Sequence, residues 1–243
     1  MTGAPESGGS SSLRAFRTLQ QRILAGTYPS GSRLPPERTL AEDIGTSRTS
    51  IRQALQALAD SDLVAAVRNR GWFVAGAPYR EGSNVLRSFT ESAREHGLAA
   101  GATVIGSELR PATLDEASRL GVAPASPILE LTRLRSMSGV PICVATSWIP
   151  GAVADGLADV DTTDRSLFDL LEEVCGVTAS RCEYEVQAAP ADERVARLLK
   201  IAEGSPVLIG SEHFYDRDDQ PIMLGLSTYR GDAYRFQATL FRS

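Results

Sequence analysis

Arg48 and Arg52 stand four residues apart, with Thr49 between them and Ser47 just ahead. A planar guanidinium matches the O6 and N7 acceptors of guanine, and residues at the start of a helix are the ones that reach base edges in a major groove. The alternative for two arginines on one helical face is a solvated surface pair. A second pair, Arg133 and Arg135, alternates within a β-prone run. Both then project from one face of a strand and can grip a phosphate or carboxylate bidentately; the alternative is pairing with the many acids of the same half. Ser88-Phe89-Thr90 opens a helix, and unpaired N–H groups at such a start favour a negative ligand. Other chemistry finds little to work with. His96 and His213 have no evident nucleophile or metal partner, the carboxylates follow no general-acid spacing, and Cys143, Cys175 and Cys182 form neither a ligand pattern nor a disulfide framework. No catalytic residue, metal ligand or cofactor is assigned.

The elements that must hold Arg48 and Arg52 are two short helices joined by a tight turn, over Leu34 to Leu55. Pro36 fits the first turn of the first helix, Leu40 and Ile44 give it an apolar face, and Gly45 ends it in a left-handed conformation. Ser47 is an N-cap for the second helix, which buries Ile51, Leu55 and Leu58 and turns Arg48, Thr49 and Arg52 outward. A preceding helix is expected from about Ser12 to Ala25, on the period of Leu13, Phe16, Leu19, Ile23 and Leu24. After it come two β-prone runs, Leu63–Val67 and Trp72–Val74, around Arg68-Asn69-Arg70-Gly71. That is a basic hairpin following a helix-turn-helix, the wing of a winged helix, with Arg68 and Arg70 placed to reach a backbone or minor groove. The alternative is a solubilising charged turn.

With 243 residues and 42% hydrophobic content, the chain has room for two domains and no run long enough to cross a membrane. The Gly/Ser-rich residues 1–12 lack the basic and apolar parts of a signal peptide and are expected to be a disordered tail, in a cytoplasmic protein with reduced thiols. Net charge is −5, but it is unevenly spread. Residues 13–76 carry nine arginines against five acids, whereas residues 77–243 carry sixteen basic residues against twenty-four acids. Only the basic head needs to meet phosphate.

A Pro/Gly-containing linker is expected over residues 77–85, and a second domain over 86–243. Ser88 caps a short helix with Glu91 three residues on. Strands are expected over 102–109, 128–137, 140–149, 178–187, 207–215, 221–229 and 236–241, and helices over 113–120, 167–174 and 190–201, the last beginning with Pro190. Hairpin turns dominate, with Ser138-Gly139 the tightest. The sheet should therefore be mainly antiparallel with helices packed on one side, giving an α+β fold behind the winged helix-turn-helix.

The order of motifs, Tyr28-Pro29-Ser30-Gly31-Ser32-Arg33-Leu34-Pro35-Pro36-Glu37-Arg38, then Ser47 to Leu55, then Gly71-Trp72-Phe73-Val74, resembles the GntR family of bacterial transcription regulators. The resemblance implies DNA contacts at Arg38, Ser47, Arg48, Thr49, Arg52 and Gly71. The body resembles the UTRA effector-sensing domain of the HutC branch, a chorismate-lyase-like fold, through Ser88-Phe89-Thr90, Leu131 to Arg135 with Gly139 to Ile142, Thr146 to Pro150, and Ser227 to Phe236. It implies that Ser88, Phe89, Thr90, Arg133 and Arg135 serve an effector's phosphate, with Tyr229 as an aromatic wall or hydroxyl donor. Where members sensing amino-sugar phosphates carry glutamates, this chain has Ala145 and Met223, so a different acidic metabolite is implied. The resulting expectation is a homodimeric, ligand-responsive repressor on a palindromic double-stranded operator, with no membrane association. The alternatives are an effector-independent DNA-binding protein and a chorismate-lyase-like enzyme.

Overall fold

A computed structural model describes residues 7–29, 31–61, 63–67, 70–75, 79–82 and 85–237. The chain divides into two units, Met1–Arg80 and Glu81–Ser243. In the first, helix α1 (Ser7–Leu24) packs on helix α3 (Arg48–Asp60), with helix α2 (Glu37–Ile44) against α3. The helical period brings Ala15, Leu19, Ile23 and Leu24 of α1 together with Ile51, Ala54, Leu55 and Leu58 of α3 as the buried core. Burying each of these leucines and isoleucines stabilises the unit by roughly 1.5–3 kcal/mol. Leu13 faces solvent instead of joining them.

Helix α1 begins at Ser7, not near Ser12, so residues 7–12 are helical rather than a disordered tail; residues 1–6 lie outside the described ones. Extending an existing helix requires no new nucleus, and Ser11 and Ser12 are half-buried, a tertiary contribution that Gly/Ser composition does not reveal. Pro36 sits one position before α2, at its N-cap. Gly45 ends α2 at φ 68° and returns its N–H to the Ala41 carbonyl, and the Ser47 hydroxyl accepts from the Ser50 N–H to start α3. Strands β1 (Val64–Val67) and β2 (Gly71–Val74) pair antiparallel, Val67 opposite Gly71. Residues 31–34 bond along β2 through Val74 N–H to Ser32 O and Leu34 N–H to Trp72 O, both 2.9 Å. Within the expected linker lies a short strand, β3 (Tyr79–Gly82).

The second unit is built on one six-stranded antiparallel sheet of order β4-β5-β6-β9-β8-β7. Its strands are β4 (Ala100–Pro111), β5 (Pro127–Met137), β6 (Val140–Pro150), β7 (Arg181–Pro190), β8 (Pro206–Tyr215) and β9 (Pro221–Arg230), with β10 (Tyr234–Gln237) following. Ser138 and Gly139, at φ 48° and 82°, make the two-residue turn between β5 and β6. Helices α4 (Phe89–Glu95), α5 (Leu114–Leu120), α6 (Leu167–Cys175) and α7 (Glu193–Leu199) surround the sheet.

These helices cover both faces, not one. Leu170 and Leu171 of α6 share a cluster with Leu129, Leu131, Ile149 and Met223, whereas Ala117 and Leu120 of α5 pack with Ile128 and Leu224, and Leu199 of α7 with Val144 and Val207. Neighbouring strand residues point to opposite faces, so Ile128 and Leu129 cannot serve the same layer. The near-continuous burial of β5 and β6 has this cause. Pro190 closes β7 rather than opening a helix. Asp192 caps α7 instead, accepting from the Val195 N–H at 2.7 Å, and a proline at the end of an edge strand loses no ladder bond. The final strand starts at Tyr234; residues 238–241 of the expected strand lie outside the described ones.

Candidate nucleic-acid interface and ligand pocket

In the first unit, Ser47, Arg48, Thr49 and Arg52 are all exposed at the start of α3. A hollow of about 510 Å³ brings Arg38, Arg48 and Gly71 together with Arg33, Glu37 and Trp72. Three of the residues singled out from sequence therefore line one concavity drawn from α2, α3 and β2. Gly71 is fixed by its surroundings: its φ is 94°, and a Cβ there would meet the Arg33 guanidinium at 3.4 Å. Arg70 lies with its guanidinium carbon 5.5 Å from the Phe73 ring centroid; Arg68 and Asn69 lie outside the described residues.

Arg52 does not stand alone. Its Nη2 reaches a Glu37 oxygen at 2.9 Å and its Nε the other at 3.3 Å. The Arg52 hydrogen bonds, more than the opposing desolvation, hold the Glu37 carboxyl below the usual carboxylate range, with smaller help from the Trp72 indole and the Arg48 charge. Since Glu37 is largely committed to Arg52, the hollow keeps the positive charge of Arg33, Arg38 and Arg48. Arg38 itself has only a loose 3.8 Å approach to Glu42, both exposed. Sequence reasoning passed over Arg33, Glu37 and Trp72. The signal for Glu37 was present in its spacing to Arg52, but only the packing of α2 on α3 brings the two within reach.

In the second unit, Arg133 and Arg135 do share a face, and both are buried, at 3% and 5% exposure. Arg133 donates from Nη1 to the Arg165 carbonyl at 3.1 Å, and Arg135 from Nη2 to the Thr90 hydroxyl at 3.1 Å while lying 4.5 Å from the Phe89 ring centroid. Thr90, Phe89 and the two arginines are thus brought together. Among the described residues, Arg133 forms no ion pair with a carboxylate. Burial, with the Arg135 charge beside it, pulls the Arg133 guanidinium down to about 9. A desolvated cation of this kind is stabilised by an anion placed against it.

Ser88 is held differently from the sequence expectation of open donors. Its hydroxyl accepts from the Glu91 N–H and its own N–H donates to the Glu91 carboxylate at 2.7 Å, a complete capping box. Its role is to fix the start of α4, and so to set Phe89 and Thr90 against Arg135. Tyr229 is buried and stacks on Tyr234, ring centroids 3.9 Å apart. Strand register places Arg135, Cys143 and Tyr229 in one cross-strand row, and Arg133, Ala145 and Ser227 in the next. Met223 is buried in the α6 cluster on the same face. Sequence reasoning did not assign a role to Ser227, Glu212, Tyr184 or Tyr234, because the pairing of β6 with β9 that sets their strands beside the arginine-bearing ones is long-range.

His96 and His213 have local partners: Nδ1 of His96 lies 2.7 Å from the Ser92 carbonyl, and Nδ1 of His213 lies 2.8 Å from the Tyr215 hydroxyl. Among the described residues, no helix is long and apolar enough to cross a membrane.

Comparison with known proteins agrees with both halves. Residues 11–74 match the family model described as bacterial regulatory proteins, gntR family, and residues 95–235 match the UTRA domain. The HTH-type transcriptional repressor NagR of Bacillus subtilis is 31% identical over 218 residues, covering 90% of this chain and 89% of that one. The HTH-type transcriptional repressor PhnF of Mycolicibacterium smegmatis is 32% identical over 213 residues, 86% and 85% of the two chains. The crystal structure of PhnF from Mycobacterium smegmatis superposes with a TM-score of 0.67 at 30% identity, covering 94% of this chain and all of that one. These relatives are named transcription repressors, not enzymes. An arginine-bearing helix-turn-helix ahead of a two-faced antiparallel sheet, matched over nearly the whole length, makes this chain a DNA-binding transcription regulator of the GntR family with a UTRA effector domain.

Proposed function

We propose that the protein is a repressor that binds a palindromic operator as a homodimer, and that a small anionic metabolite, a phosphate ester or carboxylate, binds on the sheet face at Arg133 and Arg135 and changes operator affinity. The observation that carries the ligand reading is Arg133: buried, charged at neutral pH, and without a carboxylate partner among the described residues. Repression is supported by the names of NagR and PhnF. A twofold arrangement follows from how helix-turn-helix proteins read two half-sites about one helical turn apart. Arg38, Ser47, Arg48, Thr49, Arg52, Arg70 and Gly71 are the proposed DNA-contacting set; Phe89, Thr90, Arg133, Arg135 and Tyr229, with Ser88 fixing the helix start, are the proposed effector set.

An effector alters DNA binding only to the extent that it binds the operator-competent and operator-incompetent states unequally, and the coupling is reciprocal. The test is a thermal melt of the full chain against a panel of sugar phosphates and carboxylic acids, followed by gel shifts with each stabilising compound. A binder of the native state raises the midpoint. A compound that does so and also shifts operator affinity supports the reading; a panel without any stabilising anion, or operator affinity indifferent to every binder, removes it.

A further inference from the structure

The sheet face that carries Arg133 also carries a carboxylate. Along β8, residues 208, 210, 212 and 214 point to this face, and register sets Glu212 opposite Gly225 on β9 and Tyr184 on β7. Gly225 has no side chain to occupy the space above it, and the Glu212 carboxylate lies there: a Cβ built on Gly225 would collide with Glu212 Oε2 and touch its Cβ at 3.1 Å. The Ser227 hydroxyl donates to the same carboxylate at 3.3 Å. Next to it, the Tyr184 ring covers Gly210 in the same way, and its hydroxyl lies 3.0 Å from that of Tyr234. Glycine inside a strand on a covered face marks a place where something approaches the backbone closely. Here two such positions on neighbouring strands let an acid and a tyrosine lie flat across the sheet, toward its centre.

We propose that Glu212, oriented by Ser227, is a specificity-determining residue of the ligand pocket, and that the ligand is bifunctional, with an anionic group at Arg133 and a hydrogen-bond donor, above all an ammonium, at Glu212. This rests on the anion reading of Arg133 given above. Arg133 pairs with Ala145, Ala145 with Ser227, and Ser227 with Gly210, so Glu212 stands three strand spacings from Arg133 and two residues along β8 from that row. At about 4.8 Å per strand and about 3.4 Å per residue the two backbone positions are on the order of 16 Å apart, less the reach of one guanidinium and of one carboxylate that lies back over β9, which leaves a span of several bonds between the ligand's charged ends. Ala145, between the poles, carries no polar atom on its side chain to compete for either end. The carboxylate repels a plain dianion and attracts a zwitterion, so it selects as well as binds.

The probes are 3-aminopropyl phosphate and propyl phosphate, which differ only in the amine, titrated by calorimetry into the full-length protein. Wild type should bind the amino compound on the order of tenfold more tightly, and Glu212→Gln should bring the ratio toward one. Glu212→Asp, which keeps the charge but shortens its reach, should lower the ratio as well and serves if the glutamine variant does not fold. A wild-type ratio near one, or a ratio that persists in the Glu212 variants, overturns the proposal while leaving the anion site standing. If wild type binds neither probe nor inorganic phosphate at millimolar concentration, the anion reading fails, and this assignment with it.

Discussion

Arginine is used in opposite ways in the two units. In the first, Arg38, Arg48 and Arg52 are exposed, and Arg52 retains 66% of its side-chain surface even while bound to Glu37. In the second, Arg133 and Arg135 are almost entirely enclosed, with carbonyl, hydroxyl and aromatic neighbours. An exposed guanidinium costs little to keep charged and is ready for a partner as large as a duplex, although salt screens it. An enclosed one is costly until a small anion arrives, and discriminates more sharply for that reason. Exposure suits a surface that meets a polyanion, and enclosure suits a pocket that must choose among metabolites.

The largest expected effect tests the enclosed side. Arg133→Ala should cost roughly 2–5 kcal/mol of affinity for the stabilising anion, the range for removing one partner of a buried charge pair, as read by calorimetry; a loss no greater than that of an exposed pair would erase the contrast. Arg48→Ala comes next and tests the open side. It should cost roughly 1–3 kcal/mol of operator affinity in gel shifts while anion affinity is retained, and an unchanged gel shift would remove Arg48 from the interface.

Gly71→Ala probes the scaffold beneath the open side. With φ at 94°, a conformation that side chains rarely adopt, the substitution should lower stability by roughly 1–3 kcal/mol in chemical denaturation and weaken operator binding by shifting the backbone at Gly71. The smallest effect concerns an intermediate case, the half-covered Arg110, which lies 2.6 Å from both Glu116 and Glu130. The Arg110 hydrogen bond pulls the Glu116 carboxyl down to about 2 from 4.5. Its contribution is therefore complete above the unfolded value and lost as pH falls through about 2. Glu116→Gln should cost less than about 1 kcal/mol near neutrality, with the melting midpoints of the two proteins converging on acidification; a gap that widens toward pH 2 would reverse the sign.

What could be read from sequence was what is decided within a few residues. Gly45 and Ser47 announce a helix end and a helix start, Ser88 and Glu91 announce a capping box, and the alternation of Arg133 with Arg135 announces a shared face; all are present in the structure. The helix from Ser7 escaped because extending an existing helix needs no new nucleus, whereas glycine and serine have low helix propensity of their own. Pro190 misled because proline is equally at home at a helix start and at the end of an edge strand. The two-sided covering of the sheet, and with it Glu212 and Ser227, depends on which strands are neighbours. Single-strand patterns do not contain that information.

The strand order carries one more consequence. Strands β4, β5 and β6 form one local meander and β7, β8 and β9 another, and among the described residues the only ladder joining them runs between β6 and β9. Arg133 and Ala145 belong to the first meander, Ser227 and Glu212 to the second, so the proposed pocket straddles this seam. Joining Ala145 to Ser227 closes a long loop and forfeits chain entropy that each meander alone does not. The proposed binding site therefore depends on a non-local pairing that neither meander supplies alone. On the proposed reading, a polypeptide cut short before Pro221 would have half a pocket, and a bound metabolite would act as a clasp on the seam.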